Sequence, residues 1–491
     1  MTAKGYKPGE MNFHSLSFRD CKIDSFIMLD QCALERGLQM LSCDVTGRFI
    51  FCNSNFVSGS LDVEKSKLRA LEFSHLDLQG TGLRLDSSVI ADYIRFSIIS
   101  SSGGYSFINS KFAKDIYIVG GEVASIICNG SEFKEAVRLQ AIKNNGSFTS
   151  SSDVFEKAVQ IDFDDSSSGI FGYQKSIYFQ ESKFSAGLLV NGSEFIIESL
   201  TIVCSQELQG TIHFNDCRVL VTEIKNYSHG VNIIFSYVRF GKLNFDNYTN
   251  DGNLTLSSCS SLDIEDSYVA IQHSNLGKAQ FMNFSLESFK RVRIFDSILS
   301  SIEFSGISWF TDTALDVGAK ATSDQKRREV YRQLKQASEK QNDRIQALRF
   351  QAIELAAFGN MVRKEEGFLG NDRLILWLSL TNDFGLNWRK PFAYLITITT
   401  LLYFPLVFSV SDRLTWRPAC NSKDVINTLE EFWSYSYVWP QLFNPARPIK
   451  QIFNTGKDLA FGAYFWDGVQ RIVLAFFIVQ IVSAFRKFVK S

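Results

Sequence analysis

A chain of 491 residues is long enough for two or three domains, and a net charge of −1 excludes nucleic-acid binding driven by bulk electrostatics. Its nine cysteines make no CxxC and no Cys/His cluster, which excludes a metal site built on them and suits free thiols in a reducing compartment. Of seven prolines only Pro8 precedes residue 390, so the chain changes character there.

The N-terminal stretch MTAKGYKPGEMNFHSLSF lacks an apolar core of the length a secretory signal needs. Residues 1 to about 390 are therefore expected in the cytoplasm. From residue 12 to 310, apolar clusters of two to five residues alternate with Ser, Asn, Asp and Gly. A Ser-x-Phe phrase recurs at Ser54-Asn-Phe56, Ser110-Lys-Phe112, Ser131-Glu-Phe133, Ser182-Lys-Phe184 and Ser193-Glu-Phe195, with Asp153-Val-Phe155 as a variant. Phe112 to Phe133 is 21 residues, Phe133 to Phe155 is 22, and Phe184 to Phe195 is 11, half that step. Cys21, Cys32 and Cys43 share the spacing of 11 and read as positions within a repeat.

A period near twenty with short strands is the pattern of a solenoid, because one coil alone cannot bury its inward side chains. Few stretches carry helical spacing, and Ser, Asn, Gly and β-branched residues favour strand and turn. The expected fold is mainly β: a right-handed parallel β-helix with rows of Phe and Ile inside and small polar residues at its corners. Insertions are expected around residues 141–180 and 222–232. The Ser-x-Phe pattern on this period resembles degenerate pentapeptide-repeat proteins, a family in which Leu or Phe takes the central inward position. The resemblance covers about 300 residues, without the Ala-Asp/Asn-Leu form.

Next, Val330, Leu334, Ala337, Ile345, Leu348, Ala352 and Leu355 form an apolar stripe at helical spacing. Asn342-Asp343 is expected to break it into an antiparallel helix pair. Tyr331, Leu334, Ala347, Phe350 and Glu354 resemble the helical linker of bacterial pentapeptide-repeat membrane proteins. That linker runs aromatic, Arg-Leu-Lys, a Gly-Asp turn, then Ala, Phe and Glu-Leu; here Gln-Leu-Lys and Asn-Asp stand in. The alternative is a plain packing element without a site. Lys326-Arg327-Arg328 reads as a solvated helix face.

Phe392 to Val410 is 19 uncharged residues; as a helix it is about 28 Å long, close to a hydrocarbon core. A second apolar segment follows at 463–486. Trp377, Trp388, Arg389 and Lys390 precede the first, and Arg486 and Lys487 end the second, as interfacial anchors. Basic residues at both places put those ends in the cytoplasm and the intervening loop outside. Residues 432–453, aromatic and broken by Pro440, Pro445 and Pro448, suit an interfacial or re-entrant segment. Asp467 and Arg471 sit four apart within the second segment and can pair. Counted from Arg486, Arg471 lies about 22 Å up the helix, in the outer third of the core, and Asp467 about 28 Å up, near the outer headgroups. They are either an interfacial ion pair capping an anchor or a ring of charge at the mouth of an oligomeric pore. Gln480 and Ser483 are candidate intramembrane polar contacts.

The chain is thus divided into a cytoplasmic β-helix (1–310), a helical linker (311–371) and a membrane domain (372–491). That last part holds an interfacial helix, spans at about 391–411 and 463–486, and an outer loop. No P-loop, GxSxG, HExxH or potassium-filter sequence occurs. Asp162, Asp164 and Asp165 cluster, but Asp164 and His229 are 65 residues apart, too far along the coils for one hydrolase site. No catalytic residue, cofactor or metal is expected. The expectation is a multi-pass protein of the bacterial inner membrane, its N-terminal domain and C-terminus cytoplasmic. Its expected partners are the lipid bilayer, further copies of itself and an unknown protein or ligand on the β-helix, with no nucleic acid. The expected role is that of a sensor or scaffold coupled to a membrane effector, one form of which is an oligomeric ion-conducting pore in bacterial stress or antiphage defence. The alternatives are a tethered binding module without a pore and a β-helix carbohydrate-active enzyme.

Overall fold

The computed structural model describes residues 11–489 except 57, 79–81, 102, 120–121, 141–142, 163–172, 193–195, 319–322, 366–369, 411–428 and 454–458. The chain forms two compact units, Met1–Lys320 and Ala321–Ser491.

In the first unit, residues 16–316 form a parallel β-solenoid of about 12 turns. Each strand pairs with the strand one turn later, as in the column Val89–Lys111–Glu132–Val154–Lys183. The corners have a common chemistry. Asp20, Gln31, Ser42, Asn53, Lys65, Ser87, Asn109 and Ser152 all adopt positive φ, between 46° and 57°. That left-handed conformation is least costly for short polar side chains. Each such residue ties its backbone N–H to the next coil, as in Ser87 to the Ile108 carbonyl at 2.9 Å.

The residue after most of these corners points inward and is small. Cys43, Ser66, Ser88, Ser110, Ser131, Asp153 and Ser182 occupy this place in successive coils and form one ladder. The backbone N–H of Ser88 donates to Ser110 Oγ (3.2 Å), and that of Ser110 to Ser131 Oγ (3.1 Å). Each hydroxyl also donates to a carbonyl, Ser110 Oγ to Ile108 O at 2.8 Å. A buried hydroxyl is tolerated because both its roles are filled. Cysteine performs the same task with sulfur: Cys217 Sγ reaches Asn215 O at 3.3 Å, and Cys259 Sγ reaches Ser257 O at 3.4 Å. Cys21, Cys32 and Cys43 each follow a left-handed corner, which accounts for their spacing of 11. The eight described cysteines are free thiols, and burial pushes Cys204, Cys217 and Cys259 up to about 12.

Two residues beyond the ladder, on the same face of the strand, Phe112, Phe133, Phe155 and Phe184 stack with centroids 4.8, 4.5 and 5.1 Å apart. Ser-x-Phe is therefore one inward polar rung and one inward ring, with the middle residue facing out. Ser193-Glu-Phe195, Asp164 and Asp165 lie outside the described residues. Residues 222–232 do not project. They continue the wall in the strands Arg218–Ser228 and Val231–Ser236, with a register shift between Lys225 and Tyr227 taking up the irregularity.

The second unit is helical. Helices α1 (Ser323–Lys340) and α2 (Arg344–Glu365) form a hairpin that turns at Asn342, where φ is 62°. Tyr331 and Phe350 pack at 6.0 Å, and Lys335 Nζ meets the buried Glu354 Oε2 at 3.0 Å. Two of the residues that carry the linker resemblance, Tyr331 and Phe350, are thus packing partners. Helix α3 (Asn371–Leu380) leads to α4 (Arg389–Val410). The short helices α5 (Val438–Gln441) and α6 (Ile449–Ile452) precede α7 (Phe461–Val489). Helices α4 and α7 are long and apolar enough to cross a bilayer. Most of their surface is open, with Leu401 62% and Ile472 72% exposed, unlike the core helices of a soluble domain.

Candidate functional site

Helices α4 and α7 run antiparallel. Trp388 stacks on Phe485 at 5.5 Å, Leu395 packs with Leu474 and Phe477, and Tyr403 and Val407 share a cluster with Ala463. Between Leu395 and Tyr403, Gln470 Nε2 donates to Thr399 Oγ1 at 2.9 Å, both side chains fully buried. Gln470 Oε1 has no partner.

The segment between the two helices folds back along them. Phe432 packs on Tyr403 (5.1 Å) and Phe404 (5.0 Å). Trp439 Nε1 donates to Thr400 Oγ1 at 3.1 Å. Phe443 reaches the Leu395 cluster, and Ile449, Ile452 and Phe453 return to Tyr403 and Val407. Leu395 is fifteen residues from Val410 in α4, about 22 Å along the axis. This segment is a hairpin that packs along α4 and α7.

Such a hairpin exposes backbone that no helix satisfies. Pro445 and Pro448 have no backbone N–H to offer this turn. Arg447 supplies donors instead. Its Nη1 donates to the carbonyls of Leu442 (2.6 Å), Asn444 (3.2 Å) and Gln441 (3.4 Å). Arg471 covers the far side, with Nη1 3.3 Å from Pro445 O and Nη2 on Arg447 O. Both guanidiniums converge on Asp467, Arg447 Nη2 on Oδ1 at 3.0 Å and Arg471 Nε on Oδ2 at 2.8 Å. Arg447 is 3% exposed, Asp467 8% and Arg471 37%. Arg447 Nε is buried without a partner.

Asp467 and Arg471, paired by their spacing, do meet. The sequence reading missed Arg447; its trace was one arginine between two prolines in an aromatic stretch. Helix α7 has 29 residues against 22 in α4, so it overhangs. Gln470 pairs with Thr399, the midpoint of α4, which puts Arg471 at half its height. Gln480 accepts from Asn382 Nδ2 in the turn after α3, and Ser483 is exposed. The anchors group at one end of the α4–α7 pair. The Arg389 guanidinium lies 5.9 Å from the Trp388 ring, and Lys390 Nζ is 2.6 Å from Asp383 Oδ1. Trp377 lies on α3, and Arg486 and Lys487 on the last turns of α7.

On the solenoid, Asp162 accepts from Gln160 (2.6 Å) and Asn191 (2.8 Å), while His229 bonds Asp251 at 3.1 Å. Among the described residues no group of three or more His, Cys, Asp or Glu side chains is placed to hold a metal ion. No protein-family model, curated protein or solved structure matches this chain.

Proposed function

We propose that this chain is a pentapeptide-repeat-like membrane protein whose solenoid is a cytoplasmic recognition scaffold and whose α4–α7 pair is a membrane effector. The inward Ser-x-Phe rung on a coil of about twenty-two residues supports the repeat assignment. Solenoids present long rigid faces, which suits capture of a protein or ligand partner. A sensor joined to a membrane effector suits a bacterial stress or antiphage response.

The observation that carries the effector reading is the charge of the cluster. Two guanidiniums face one carboxylate at half the height of α4, and Arg471 is 37% exposed. An arginine at the centre of a bilayer costs about 3 kcal/mol or more, and such residues are kept where they face a bundle interior or a water-filled path. One helix pair encloses no path. The working form is therefore a homo-oligomer in which Arg471 of each copy lines a shared pore. The test is ion flux from liposomes holding the purified full-length protein, with Arg471→Gln beside wild type. Flux that the substitution changes supports the reading; sealed liposomes with wild-type protein overturn it. One observation favours a second reading, a tether without a pore. Nε, Nη1 and Nη2 of Arg471 all donate to acceptors within the chain, as a purely structural clamp requires. Monomeric protein in sealed liposomes would select it.

A further inference from the structure

We infer that the species moved along this path is a small inorganic anion. The inference rests on the effector reading above and adds the sign of the ion. Asp467 is the one acid among the described residues of α7, and it is not available to a cation, since Arg447 occupies one carboxylate oxygen and Arg471 the other. Glu430 and Glu431 sit at the head of the hairpin, next to Phe432, which packs beside Phe404 and Phe408 near the end of α4. At the level of Thr399 the balance is one positive charge per copy, and an oligomer multiplies it around the axis. The guanidinium is also approachable. Gly468 and Ala475, one turn to either side of Arg471, are the small residues of that face. A side chain added at Gly468 would meet nothing within 4 Å. A path with a fixed cation surplus attracts anions and repels cations.

The experiment is current through planar bilayers holding the full-length protein under a KCl gradient. The expected reversal potential for wild type is displaced toward the chloride equilibrium potential. Arg471→Gln is expected to move it back toward zero, and Arg471→Lys to retain the displacement. Gly468→Glu keeps the Arg447–Asp467–Arg471 clamp and adds a carboxylate one turn away on the open face. It is expected to abolish the chloride preference even where Arg471→Gln fails to fold. Currents that reverse near the potassium potential overturn the anion inference and leave the effector reading standing. A chloride preference unmoved by Gly468→Glu and by a folded Arg471→Gln also overturns it, by placing the selective step elsewhere. No current from wild type overturns both.

Discussion

Arg447 and Asp467 are twenty residues apart in the chain and meet at 3.0 Å, both almost closed to solvent. The pair joins a hairpin that cannot satisfy its own carbonyls to a helix that can spare a carboxylate. Arg447 neutralises the acid and bonds the orphaned backbone with the same guanidinium. A buried ion pair gives little net stability by itself, but breaking one leaves a charge without compensation.

Asp467→Asn should therefore destabilise the helical unit more than Arg471→Gln. The first leaves the buried Arg447 unpaired, at a cost of about 3–5 kcal/mol. The second removes a half-exposed partner and leaves Arg447–Asp467 intact, at roughly 1–2 kcal/mol. Thermal unfolding of the two variants in detergent compares them directly. Equal loss would mean that the hairpin is not held by the clamp.

Phe133 stands between Phe112 and Phe155 in the stacked row. Phe133→Ala should cost about 3–5 kcal/mol, since the neighbouring coils are held apart by the strand ladder and cannot close the gap. Phe133→Leu should cost less than half of that. Denaturant titration of the full chain, followed by solenoid circular dichroism, measures both. A stack that tolerated alanine would show that the rings are not what holds successive coils together.

Asp153 stands where the ladder elsewhere has serine or cysteine. Burial raises its pKa from 3.8 to about 7, against the opposing effect of hydrogen bonds from Ser131 N–H, Ser150 Oγ and Ser151 N–H. The folded state therefore holds its proton more tightly than the unfolded chain. That contribution is complete below about pH 4 and is lost as the pH rises through about 7. Asp153→Asn should match wild type at low pH and exceed it by roughly 2–4 kcal/mol above pH 7. Melting temperatures across this range give the difference, and a constant offset at every pH would refute the assignment.

Lys335 and Glu354 link the two helices of the linker at 3.0 Å, with Glu354 nearly buried. A double-mutant cycle with Lys335→Met and Glu354→Gln should return a coupling of about 1 kcal/mol, less than for a fully dry pair because Lys335 keeps some solvent. A coupling of zero would leave Tyr331 and Phe350 as the main cross-helix contact.

The solenoid could be read from residues alone because its core repeats. Each coil meets the same two neighbours, so packing favours a small residue after most corners and a large apolar one two places on. Ser110-Lys-Phe112 and Ser131-Glu-Phe133 print that demand at a fixed interval, and Cys21, Cys32 and Cys43 print half of it. Helices α4 and α7 were equally legible, since an apolar run of that length has few other uses. The wall at 222–232 was misread as an insertion because the register shift there, one extra residue between Asp246 and Thr249 opposite Lys225–Tyr227, looks in one dimension like a lost period. The clamp was only half visible. Asp467 and Arg471 share a helix face, so local geometry pairs them. Pro445 and Pro448 announced carbonyls in need of donors but not which donors. Arg447 reaches them because the hairpin folds back against α7, and that approach is set by the packing of Phe432, Trp439 and Phe443 on α4. Periodic contacts leave a local record in the chain; a single contact across a broken backbone exists only once the parts have packed.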